Sequence, residues 1–167
     1  MRRIEFACAV LAVALFSALA LKAQTEPKLA TRIIQALQDK EPCWNPVVGI
    51  EGGRVPVVPS EKTVIVASWY CKQAGGSPEG VAVSVYQVES TTEAKKWLQF
   101  IGKGRVAQGW TVRSYHIGDE GYLAEYRAGE RFQIAFRKGS VVGRVAASKL
   151  SRVEEFIQIV LAEVPAK

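Results

Sequence analysis

His116 is the only histidine in this chain of 167 residues, and Asp119 and Glu120 follow it closely enough to form one local group of metal ligands or proton carriers. A turn between two strands accounts for the same three residues equally well, so metal binding is the minor reading. Cys43 and Cys71 offer a second chemistry, since a thiol served by His116 could act as a nucleophile. Neither cysteine lies in a Cys-x-x-Cys pair or at a recognisable helix start, the settings that lower a thiol pKa. No phosphate loop, H-E-x-x-H zinc motif or G-x-S-x-G elbow occurs. Gly102-Lys103-Gly104 reads as the end of a helix, where a dinucleotide fingerprint would have to begin one. No pattern calls for a cofactor.

Arginine and tyrosine supply the stronger signal. With strand alternation counted through the second half of the chain, and with helices covering one sheet face, the opposite face receives Tyr86, Arg113, Tyr115, Arg131, Arg137 and Arg144. Arg127 and Gln133 join them, and Glu125 is the main opposing charge. Guanidinium forks and phenol rings suit anionic or carbohydrate-like partners. The competing reading is a solvated face with ordinary cross-strand pairs.

The elements that must position these residues follow from hydrophobic period. Leu29, Ile33 and Leu37 recur every fourth residue and predict a helix over Thr25 to Lys40, with Thr25 as N-cap and Pro27 in the first turn. Residues 41–60 hold Pro42, Pro46, Pro56 and Pro59, which forbid a regular interior element and leave an extended connector with room for a short edge strand. Thr63 to Lys72 and Gly80 to Glu89 read as a hairpin. Ser90 with Glu93 forms a capping box, and Ala94, Trp97, Leu98 and Ile101 follow at helical spacing until Gly102 and Gly104. Four short strands come next, at Gly109 to His116, Gly121 to Arg127, Arg131 to Lys138 and Ser140 to Ala147. The last helix is expected to open on a Ser151–Glu154 box and to bury Val153, Phe156, Ile157, Val160, Leu161 and Val164. The expected fold is α+β in the order αββαββββα, an antiparallel sheet of about six strands with helices packed on one face.

Two arginines precede an uncharged apolar run from Phe6 to Leu21, and Ala18-Leu19-Ala20 supplies the small residues of a signal-peptidase site. Residues 1–20 therefore read as a signal peptide, with a cut after Ala23 as the second choice, and residues 21–167 as one domain. A run of about 16 residues falls short of the roughly 20 needed to span a bilayer, which favours a cleaved segment over a retained anchor. Cys8 stands too early in the run to be a lipoprotein cysteine. Export to a periplasmic or extracellular space places Cys43 and Cys71 where thiols pair, and a disulfide is the economical account of both. The whole chain carries a net charge of +6, and its basic residues are scattered without forming a long run. That distribution gives little support to nucleic-acid binding.

The stretches Ile117-Gly118-Asp119-Glu120-Gly121-Tyr122 and Phe136-Arg137-Lys138-Gly139-Ser140-Val141-Val142 resemble a pattern in small bacterial exported domains of cystatin-like or Mog1-like type. The resemblance covers about a third of the chain and implies an α+β sheet domain serving as a sensor or accessory module. It brings no catalytic residue. Two functions are expected in order: an exported non-catalytic binding or sensor module, whose partner is a protein or an anionic envelope component, and a small exported hydrolase-like enzyme using His116 with a cysteine or a carboxylate.

Overall fold

The structure is a computed structural model that describes residues 28–40, 43–48, 63–71 and 79–165. The expected signal segment, Thr25 and most of the proline-rich connector lie outside the described residues. The elements are α1 (Leu29–Lys40), β1 (Asn45–Val48), β2 (Thr63–Cys71), β3 (Glu79–Gln87), α2 (Thr91–Ala107), β4 (Thr111–Ser114), β5 (Glu120–Tyr126), β6 (Arg131–Lys138), β7 (Val141–Ala147) and α3 (Leu150–Glu163). The expected α+β order holds, and β1 adds a short edge strand within the connector. All neighbours in the sheet are antiparallel, in the order β1-β2-β3-β7-β6-β5-β4.

Period two divides the sheet residues between two cores. Ile65, Ala67, Trp69, Val81, Val83, Val85, Leu123, Ile134, Phe136 and Val145 face α1 and α3, which contribute Ile33, Leu37, Val153, Phe156, Ile157 and Val160. Tyr122, Ala124, Ala135 and Val142 point to the other side, where α2 covers them with Ala94, Leu98 and Ile101. The one-face arrangement expected for the helices is therefore corrected: α2 lies opposite α1 and α3. Small residues on β5 and β6, Ala124 and Ala135, make a seat for α2 that alternation alone assigns to solvent.

Ser90 caps α2, its hydroxyl accepting a hydrogen bond from the Glu93 amide at 3.1 Å, while the Glu93 carboxylate accepts one from the Glu89 amide. The helix does not stop at Gly102 or Gly104 but runs to Ala107. Gly102 sits over the Tyr122 ring, where a Cβ would come within 3.4 Å of Cε1. At that distance a Cβ would make an ordinary contact, so Gly102 lies against the sheet within the helix and neither terminates it nor is sterically required there. Similarly, α3 begins at Leu150 with Lys149 at its N-cap, and the Ser151–Glu154 box does not form. The free carbonyls at its other end are met by Lys138, whose ammonium donates to Leu161 O at 3.1 Å and Val164 O at 2.6 Å. Cys43 and Cys71 form a disulfide with Cα atoms 5.3 Å apart, fastening the segment before β1 to the end of β2.

Candidate functional site

Helix α2 packs over β4, β5, β6 and β7, and among the described residues no helix extends across the same face of β2 and β3. A groove of about 530 Å³ lies there. Gly80, Ala82 and Ser84 of β3, Ser68 of β2 and Ala146 of β7 line it, together with Tyr70, Trp110, Arg105, Arg131, Gln133 and Arg144. Its strand residues come from β2, β3, β6 and β7, none of which is the outermost strand of the sheet, and Arg105 and Trp110 come from α2 and the turn after it.

Gln133 organises the basic wall. Fully buried, its side-chain oxygen accepts from both Arg105 Nε, at 2.9 Å, and Arg105 Nη2, at 2.6 Å, while its amide nitrogen donates to the Tyr122 hydroxyl at 3.3 Å. Arg105 also donates to Gln108 and lies over the Trp110 ring, 4.6 Å from its centroid. Among the described residues that guanidinium is thereby fixed without a carboxylate. Burial depresses its pKa first, and the neighbouring charges of Arg144 and Arg131 depress it further. The Tyr122 phenol beside it is pushed up to about 12, chiefly by burial. Among the described residues neither Arg131 nor Arg144 has an ion-pair partner, and no acidic residue lines the groove.

Of the six residues expected to form one binding face, Arg131 and Arg144 line this groove. Tyr86 shares the face by strand parity but is 4% exposed and lies outside the lining. Arg137 also shares the face, yet it is buried rather than solvent-facing: its Nη1 donates to Asp119 at 2.9 Å and to Gly139 O, and its Nη2 to Glu120 at 3.4 Å. Burial is tolerable there because two carboxylates accompany the charge. Arg113 and Tyr115 belong to the opposite face, since Arg113 stands across from Leu123, and Tyr115 donates to Glu154 of α3 at 2.7 Å. Arg105, Tyr70 and Trp110 escaped the sequence reading. Arg105 falls on the same helical face as Ala94, Leu98 and Ile101, a signal hidden by ending the helix at Gly102.

The Asp119–Glu120 turn is committed to Arg137, and Asp119 also accepts from the Gly139 amide at 2.8 Å. His116 is exposed beside them, and among the described residues no three His, Cys, Asp or Glu side chains gather as a metal-holding group. The disulfide leaves neither Cys43 nor Cys71 as a free thiol. Comparison with family models, with curated proteins and with solved structures finds no match for this chain.

Proposed function

We propose that this protein is an exported, non-catalytic binding module that captures an anionic envelope ligand in the groove between α2 and strands β2 and β3. The observation that carries this reading is the gathering of Arg105, Arg131 and Arg144 around one groove with no acidic residue in its lining. Like charges held together by the fold repel, and an anion placed among them relieves that repulsion. Charge-assisted hydrogen bonds from Arg131 and Arg144 then add directional contact. The cystine fits an oxidising compartment, and a periplasmic or secreted location agrees with the signal-like first 20 residues.

Calorimetric titration with citrate, a compact multivalent anion, tests the reading. Wild-type protein should bind, more weakly as salt rises, and Arg131→Gln/Arg144→Gln should bind at least about tenfold more weakly, as expected for lost hydrogen bonds to charge. Equal, salt-independent affinity in both proteins would remove the groove from the account.

A further inference from the structure

We infer that the groove's ligand is an acidic saccharide, with a sugar ring stacked on Tyr70 and its acid group held by Arg131 and Arg144. The inference rests on the anion-binding reading and narrows it to one class of ligand.

The groove has two chemically different ends. Tyr70 and Arg131 are separated across the sheet by β3 and β7, so their backbones stand about three strand spacings apart, roughly 15 Å. At the β2 end Tyr70 is 43% exposed, an unusual disposition for an aromatic residue on an interior strand. It lies over Gly80 of the neighbouring strand, so close that a Cβ there would stand 3.1 Å from Tyr70 Cε1. Glycine thus lets the ring settle onto the sheet and present a surface to the groove. At the other end stand the three guanidinium groups. Between them the lining is Gly80, Ala82, Ser84, Ser68 and Ala146, small side chains that leave depth and include two hydroxyls.

This sequence of surfaces matches a saccharide bearing an acid group: an apolar ring face for the phenol, ring hydroxyls above the serines, and a carboxylate or sulfate for the arginines. An acidic peptide fits less well. Among the described residues β3, β6 and β7 have a partner strand on both sides and β2 is paired on its outer side over Ala67–Tyr70, beside the exposed ring, so this part of the groove offers no sheet edge for strand addition. Recognition must come from side chains, and the exposed ring would have no role with a ligand read by charge alone.

The test compares three probes of similar charge, trigalacturonate, citrate and a capped triglutamate peptide, with neutral trigalactose as control, each titrated into the mature chain. Trigalacturonate should bind at least about tenfold more tightly than the other three. Tyr70→Ala should weaken trigalacturonate binding about tenfold, and Tyr70→Phe, which keeps the ring, should restore it. If triglutamate or trigalactose binds as tightly as trigalacturonate, or if Tyr70→Ala binds trigalacturonate like wild type, the saccharide assignment is wrong. Should citrate bind while trigalacturonate gains nothing over it, the saccharide inference falls and the anion-binding reading stands. Binding of none of the probes would overturn both.

Discussion

Arg131 and Arg137 sit on one strand, six residues apart, and the strand period alone treats them alike. Their surroundings do not. Arg131 is exposed at the groove, whereas the Arg137 side chain is 9% exposed and held by Asp119 and Glu120. Replacing Arg137 by glutamine should cost about 2 kcal/mol in a urea titration, because the hydrogen bonds to two carboxylates are lost in a mostly buried setting. Arg131→Gln should stay within about 0.5 kcal/mol of wild type, as an exposed substitution does where the described residues supply no ion-pair partner. Equal stability losses would mean that the ion pairs with Arg137 contribute nothing. Parity places a side chain on a face of the sheet, and only tertiary packing decides whether that face is wet. That is why Arg131 and Arg144 were legible as binding candidates while Arg137 was misjudged. The resemblance-bearing stretches around Gly118 and Gly139 have a plain physical role in this clamp: Gly118 adopts φ +59°, and a Cβ there would meet Arg137 O at 2.5 Å.

At the scale of elements, strands and helix centres were readable from period, and helix ends and faces were not. Beta6 was expected at Arg131 to Lys138 and spans those residues, because strict alternation and short flanking turns define it locally. Helix α2 overran its expected end since Gly102 and Gly104 remain within the helix, one packed on Tyr122 at a distance that would still admit a Cβ and one without any close neighbour. The second case yields a prediction. A Cβ at Gly104 would meet nothing within 4 Å, so Gly104→Ala gains helix propensity with no clash. It should stabilise the protein by about 0.5 to 1 kcal/mol in the same urea titration. A loss of stability would restore Gly104 to the role of a helix stop. The capping box at Ser90 was legible because cap and helix start coincide in sequence; Ser151 falls inside the first turn of α3, where the backbone that follows β7 has already begun to coil.

For the molecule as a whole, the disulfide and the groove divide stability from binding. Cys43 and Cys71 enclose a separation of 28 residues, and closing a loop of that size restricts the unfolded chain by roughly 3 to 4 kcal/mol on the entropy model. The bridge also delivers Trp44 to the core, where its ring meets Phe156 edge-on at 5.1 Å and lies beneath the Arg152 guanidinium. Cys43→Ala/Cys71→Ala should therefore lower the melting temperature by roughly 10 °C, given the few degrees that each kcal/mol moves a domain of this length. The groove should respond differently. Arg105, Arg131 and Arg144 stand on α2, β6 and β7, braced by Gln133 and the core beneath α2, on the sheet face opposite the buried Cys71 side chain. Citrate affinity measured well below the variant's melting temperature should then stay within about twofold of wild type, while the stability loss remains. If affinity and melting temperature fall together in that variant, the basic groove depends on the anchored edge of the sheet, and separate control of stability and binding is lost.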